Sequence, residues 1–338
     1  MINLYPGPSK LHPSVSKSLL KVNELITYNH RSPEFMDLYK KTQLSLFKKL
    51  SIPQDYTLCF VSSATECWEI IAESYNGLSS LHIYNGNFGR KWYEITKKLG
   101  GDAREGKFEI NDLPSLTENA DLLCFTHCET SNGTYIPSKT FTLAKEKYPE
   151  SLIAIDSTAS LGAIHIDFEK TDIVFSSVQK CLGLPAGLGL LILSPRAIEI
   201  TKNLNRNNHY NSICNLSLNA KKYQTTYTPN ILGIYLLSTL LEKYGDSQSN
   251  EKILRKRQKH LIQKHKIELV SQNTKVSSPT VLAIKNNQPQ DFICQKAQRG
   301  IIVGKGYGDW KSSSYRIANF PAHTLAELNK VFEKLNLT

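Results

Sequence analysis

The sequence predicts an α/β protein in two parts: a large domain on a mainly parallel sheet, residues 14–245, and a smaller α+β domain, residues 246–338, joined by the amino-terminal arm 1–13. Three observations predict this. Apolar runs ending at Val61, around His127, at Asp156 and near Val178 alternate with helical or crossover segments, the order that lays parallel strands under covering helices. After Gly245 the rhythm changes to one basic helix followed by short strands and helices. A chain of 338 residues is long enough to bury a sizeable core.

The arm, MINLYPGPSK onward, contains Pro6, Gly7, Pro8 and Pro13, which oppose regular structure, before helical spacing begins over Val15 to Leu25. NHRSPEF then sets His30 beside Arg31 ahead of a Ser-Pro helix start; the pair reads either as a surface turn or as a corner for an anion. Leu38, Leu44, Phe47 and Leu50 predict an amphipathic helix from Phe35 to Leu50, closed by Pro53. TLCFVSSATECWEIIAESY reads strand, turn, helix. Free amides and the positive end of that helix favour an anion at Ser63, Ala64 and Thr65, with ordinary N-capping as the plainer reading.

GNFGRKW opens the next helix and puts Phe88 among glycines, where the ring serves the core or faces a flat ligand. DLLCFTHCETSNGTYIP brings Thr130 and Asn132 to the carboxyl end of a strand, the edge at which open parallel sheets bind ligands. LIAIDSTAS and DIVFSSVQKCLGLPAGLGLLIL then present Asp156 and Lys180 at two further strand ends. A lysine after a strand is usually solvated. Here Gln179, Cys181 and Leu182 wall it in, and apolar walls favour a neutral amine. A neutral lysine near a carboxylate suits pyridoxal phosphate chemistry. Further on, NLNRNNHYNS reads as a loop, and YTPNILGIYLLSTLLEKYG starts a helix with Thr228 as cap and Pro229 in its first turn. Beyond Asp246 come the basic helix, strands at ELVSQ and TVLAIK, a helix over Asp291 to Arg299, strands at IIVGKGYG and SYRIANF, and a closing helix.

Composition narrows the function. The net charge of +11 fits nucleic acid or small anions. The basic residues are scattered except in Lys252 to Lys266, where Ile253, Leu254, Leu261 and Ile262 form the buried side of a helix, so small anionic substrates are preferred to nucleic acid. Seven cysteines show no paired framework, which points to a reducing compartment. Cys124, His127 and Cys128 lack a second cluster to complete a zinc site, so no metal is expected. The amino terminus has no apolar signal segment and no run is long enough to span a bilayer, making the cytoplasm the expected location.

In order, the Gly-Pro arm, HRSPEF, SSATE, GNFGRKW, ETSNGT, IAIDSTAS, SSVQKCLGLPAGLG, YTPN and RIANFPAH run nearly end to end. With these motifs the chain resembles the class V (fold type I) pyridoxal phosphate aminotransferases, most closely their phosphoserine-specific members. The resemblance implies that Lys180 bears the cofactor as a Schiff base and moves a proton at the substrate's Cα. It implies that Asp156 holds the pyridinium nitrogen, Phe88 stacks on the ring, Thr130 contacts the ring region and Gln179 lies beside it. Ala64 and Thr65 would bind the cofactor phosphate, completed by Thr228 from a partner chain, so a homodimer with shared active sites is implied. Arg316 would take the substrate α-carboxylate, and His30 and Arg31 the substrate's phosphate.

The sequence departs from the family at Cys128 and Tyr227, where asparagine is usual. The His-Arg pair expected shortly before Arg316 is also missing; VGKGYGDWKSSS stands there, with Lys305 or Lys311 as candidate replacements. The implied activity is amino transfer between glutamate and 3-phosphohydroxypyruvate. An alanine or serine to glyoxylate aminotransferase is the alternative, and a nucleic-acid-binding protein using the basic helix is the rival from another class.

Overall fold

The computed structural model describes residues 1–22 and 27–333. Its centre is a seven-stranded sheet in the order Thr57–Val61, Gly189–Leu193, Ile173–Ser177, Leu152–Asp156, Leu122–Thr126, Ser79–Tyr84, Asp102–Lys107. Every pairing is parallel except those of Gly189–Leu193, which runs antiparallel to both neighbours. Five of the strands are buried along their whole length, as expected where helices cover both faces. Register fixes what lies at the rim: Thr126 pairs with Asp156, Asp156 with Phe175, and Gly189 with both Ser177 and Val61. The carboxyl ends of four parallel strands therefore meet at one edge.

Helix ends follow local chemistry. Pro33–Leu50 is capped by Ser32, whose Oγ accepts from the Phe35 amide, and closes with Ser51 in the left-handed region at φ 57°. Its buried stripe is Phe35, Leu38, Tyr39, Leu46, Phe47 and Leu50, whereas Leu44, expected on that stripe, is 47% exposed. Pro13 starts a helix, Pro13–Leu19, because a first-turn residue needs no amide hydrogen. The expected helix to Leu25 runs into residues 23–26, outside the described residues. Ile231–Leu241 is capped by Asn230, whose Oδ1 accepts from the Gly233 amide at 2.8 Å, and not by Thr228, which lies one residue before Pro229.

A three-stranded antiparallel sheet, Val281–Lys285, Ser314–Ala318 and Gly304–Lys305, forms beyond the basic helix Ser247–His265. Leu254 and Leu261 face inward there; Ile253 is 48% exposed. ELVSQ, expected as a strand, contributes only the bridge of Leu269 to Ile284. The arm joins this region: Ile2–Asn3 pairs in parallel with Ile301–Ile302, and Leu4 enters a core with Leu282, Val303 and Ile317. All seven cysteines are unpaired, six of them buried. Among the described residues no helix is long and apolar enough to cross a membrane.

Candidate active site

A cavity of about 230 Å³ opens at the strand-end edge of the large sheet, and Asp156 and Lys180 both line it. Asp156 ends its strand 5% exposed. Its Oδ1 accepts from the Thr158 amide at 2.9 Å and the Thr158 hydroxyl at 2.5 Å, and its Oδ2 from the Trp68 indole at 3.2 Å. Burial pushes this carboxyl up, and the Thr158 bonds, the Lys180 ammonium and the indole oppose that rise. Three fixed donors thus orient the carboxyl group where it lines the cavity. Lys180 shows the reverse balance: burial pulls its ammonium down, and Asp156, Cys181 and Glu129 pull it back up.

The lysine's stem is gripped from the far end of the sequence. The Ser9 amide donates to the Gln179 carbonyl at 3.1 Å and the His12 amide to the Gly183 carbonyl at 2.8 Å, clamping the arm along residues 179–183. Gly7 has φ +129°, and a Cβ there would lie 2.9 Å from both Cγ and Cε of Lys180. Tyr5, Pro6 and Gly7 therefore make one wall of the cavity.

Opposite, Phe88 occupies the first turn of the helix Asn87–Lys98, with Lys180 Nζ 5.2 Å from its ring centre. The buried Glu129 sets that turn: it accepts from the Phe88 amide at 3.0 Å, the Gly89 amide at 3.2 Å and the Ser131 hydroxyl at 2.6 Å. A carboxylate suits the amide-rich start of a helix. At the helix Ala64–Ser74, Ser63 is the N-cap, its Oγ accepting from the Glu66 amide, and the Ala64 amide donates to Ser177 Oγ at 2.6 Å. Ala64 and Thr65 line the cavity, whereas Ser63 serves as the cap.

Arg316, 5% exposed, enters from the antiparallel sheet. Its Nε donates to the Lys305 carbonyl at 2.7 Å and one Nη to the Thr130 carbonyl at 3.0 Å, so two fixed acceptors aim the guanidinium. Thr130 and Gln179 also line the cavity, and Gln179 Oε1 is buried with no hydrogen-bond partner among the described residues. A flat ligand carrying an anionic arm and a basic ring nitrogen fits this donor set: an aromatic face, a helix start, a carboxylate and an amine.

The remaining expected residues lie elsewhere. His30 Nδ1 stands 3.4 Å from Thr228 Oγ1, and Arg31 donates to Gln224 Oε1 at 3.0 Å; none of His30, Arg31 and Thr228 lines this chain's cavity. Lys305 and Lys311 line a separate cleft with Gln288 and Asp291. His127 is buried with no hydrogen-bond partner for its ring nitrogens among the described residues, and burial pushes it down to about 3, so it stays neutral and packs on Phe141.

Residues 3–309 match the family profile described as Aminotransferase class-V. The chain belongs to this family. As a class-V aminotransferase its implied cofactor is pyridoxal phosphate, which the donor set above fits. The aminotransferase is 31% identical to a crystal structure from Cytophaga hutchinsonii called a phosphoserine aminotransferase, covering 98% of this chain and 97% of that one with a TM-score of 0.89. An alanine–glyoxylate aminotransferase structure from Nostoc sp. is 22% identical with a TM-score of 0.83, a likeness of fold, covering 98% of this chain and 93% of that one. A phosphoserine aminotransferase of Corynebacterium glutamicum is 28% identical over 242 residues, 68% of this chain and 63% of that relative. The chain thus spans just under two thirds of the length of that curated relative.

Sequence reasoning on this aminotransferase missed Trp68, Thr158, Ser177, Glu129 and Tyr307. Thr158 was legible in principle, two residues after Asp156, where a hydroxyl bonds back to the carboxylate. Trp68 sits one helical turn past Ala64, a place that looks like plain core.

Proposed function

We propose that this aminotransferase exchanges an amino group between glutamate and 3-phosphohydroxypyruvate, as a phosphoserine aminotransferase acting in serine biosynthesis in the cytoplasm. The observation that carries the reading is the likeness to the Cytophaga hutchinsonii structure, 31% identical over 98% of this chain. The alanine–glyoxylate neighbour shares the fold at 22% identity. Initial rates with phosphoserine, alanine and serine as amino donors test it. Phosphoserine is expected to exceed both by about a hundredfold in kcat/KM, because a site built for a charged group leaves buried polar atoms unpaired when that group is missing. Equal use of alanine or serine would instead favour the glyoxylate-type activity.

Bound pyridoxal phosphate supplies an electron-withdrawing ring that stabilises negative charge at a substrate's Cα. The chain's own residues do the rest. Lys180 supplies the amine that holds the cofactor and takes the Cα proton. Asp156, oriented by Thr158 and Trp68, keeps a ring nitrogen protonated. Phe88 would face the ring, Thr130 and Gln179 would stand beside it, and the helix start, with Ala64 and Thr65 on the cavity wall and Ser63 as its cap, would hold the phosphate. Arg316 receives the substrate α-carboxylate.

His30, Arg31 and Thr228 cluster outside this chain's cavity, which supports their use in a partner's site and hence a homodimer. The division at residues 245 and 246, with the arm counted in the smaller domain, is supported by the arm's strand and Leu4 joining the carboxyl-terminal core.

Gly7→Ala probes the arm. With φ +129° and Lys180 Cε 2.9 Å from the added methyl, either the arm or the lysine must move. A shift of about 1 Å in a reacting group costs on the order of a hundredfold in rate. The expected result is kcat down by about tenfold to a hundredfold with a melting temperature only a few degrees lower, read by steady-state kinetics and thermal unfolding.

A further inference from the structure

RIANFPAH ends on a histidine that the site described above does not use. His323 is 1% exposed and follows the Arg316 strand, Ser314–Ala318, on a firmly held turn. Asn319 fixes that turn: its backbone amide donates to the Thr280 carbonyl at 2.7 Å, and its side-chain amide to the carbonyls of Leu254 and Pro279 at 3.0 and 2.8 Å. The Phe320 amide donates to His323 Nδ1 at 3.0 Å. Burial pushes His323 down to about 4, so the ring is neutral. A backbone amide can only donate, so Nδ1 is the bare nitrogen and the ring proton sits on Nε2. Nε2 then donates to the Asn3 carbonyl at 3.0 Å, with Ser9 Oγ 3.4 Å from the same nitrogen.

Those two contacts close a bend of the amino-terminal arm. Between them lie Tyr5, Pro6 and Gly7, which wall the cavity, and Gly7 rests on the stem of Lys180. One leg of the bend belongs to the Arg316 strand, through the Ala318 amide donating to the Leu4 carbonyl at 2.8 Å. The other belongs to the Lys180 loop, through the Ser9 amide on the Gln179 carbonyl at 3.1 Å. Pro6 is pressed against Gly304, where a Cβ would fall 2.6 Å from its Cδ. Pro6 and Pro8 have no amide hydrogen, so the bend has few backbone bonds of its own with which to keep its shape. One imidazole, with both nitrogens engaged, joins its legs instead.

We infer that His323 is a positioning residue: by tying Asn3 to Ser9 it holds Gly7 against Lys180, and so fixes the place of the reacting amine from the far end of the chain. The inference rests on Lys180 being that amine.

The test uses two amide side chains of different reach, each in the holoenzyme. In His323→Asn the side-chain oxygen takes the place of Nδ1 and accepts from Phe320, but the group ends short of Asn3; in His323→Gln the amide nitrogen reaches the place of Nε2 and donates to Asn3. His323→Asn is expected to lower kcat about tenfold with KM within about threefold of wild type, and His323→Gln to keep most of kcat. Amide exchange read by mass spectrometry is independent of turnover: the peptide covering residues 1–12 is expected to exchange about tenfold faster in His323→Asn, with the peptides of the large sheet unchanged. Added to Gly7→Ala, His323→Asn is expected to deepen the loss by less than about twofold, because both release one contact, whereas two independent structural defects multiply. Equal kcat in the Asn and Gln variants, or multiplied losses in the double variant, overturns the inference. Arm exchange and kcat must also move together, and a change in either alone overturns it; this criterion applies to His323→Gln by itself should His323→Asn not fold. A Lys180→Ala enzyme that stays active overturns the reading of the lysine instead, and arm exchange still judges the tie made by His323.

Discussion

Lys180→Ala is expected to lower transamination by at least about a thousandfold, the largest single effect in the chain, because it removes both the attachment point and the proton carrier. Positioned general acid–base groups alone contribute roughly 10²–10⁴ in rate. Lys180→Arg is expected to be as inactive as the alanine variant: it preserves positive charge, but a guanidinium does not give up its proton. Steady-state rates separate these outcomes, and borohydride treatment with added pyridoxal phosphate followed by peptide mass analysis should label position 180 in the wild type and in neither variant. The sign of the pH dependence follows from the amine's environment. Burial lowers the Lys180 ammonium, so the neutral nucleophile accumulates at lower pH than for a solvated lysine. Cofactor capture should rise with pH through that lowered value and then level off. A Lys180→Ala enzyme within tenfold of the wild type would remove Lys180 from the chemistry.

Much of this site was legible because it is built from strand ends. A run such as LIAID, buried throughout and terminated by a charged residue, announces both its strand and the place where its carboxylate emerges. The same holds for the helix start after Val61, where the order of small polar residues fixes the cap. What was hidden depends on contacts between distant segments. The proline-rich arm reads as irregular, and nothing local says that Gly7 rests on the stem of Lys180, 173 positions later. Tyr307 reads as a loop aromatic until folding stacks it on Phe88. Leu44 falls on the wrong face for the stripe: it stands about two and a half turns past Phe35 and so points away, whereas Leu46, about three turns past Phe35, returns to the stripe and packs inward. The cap at Asn230 was missed for a related reason: Thr228 and Asn230 are both good caps, and the chain uses the one directly before the first helical residue.

Asp156→Asn is the sharper probe of electrostatics, because it preserves shape and removes charge. In the wild type Oδ1 accepts two bonds from Thr158 and Oδ2 one from the Trp68 indole. An asparagine must turn its amide group toward one of these sets, so a donor meets a donor at either Trp68 or Thr158. The larger loss is chemical. Without a negative charge beside it a ring nitrogen sheds its proton, and stabilisation of charge at the substrate's Cα weakens. Losing one preorganised electrostatic contact of this kind costs about 10²–10³ in kcat. Stability should move far less. Burial already opposes the charged form of Asp156, so neutralising the side chain relieves a desolvation cost while it forfeits a hydrogen bond. The melting temperature of the cofactor-free protein at neutral pH is therefore expected to stay within a few degrees of wild type. A cofactor analogue whose ring nitrogen is permanently charged by methylation should restore part of the lost rate in Asp156→Asn and bring no such gain to Lys180→Ala. If the analogue rescues neither variant while the fold is intact, Asp156 acts by shaping the cavity, and its charge is not what the reaction uses.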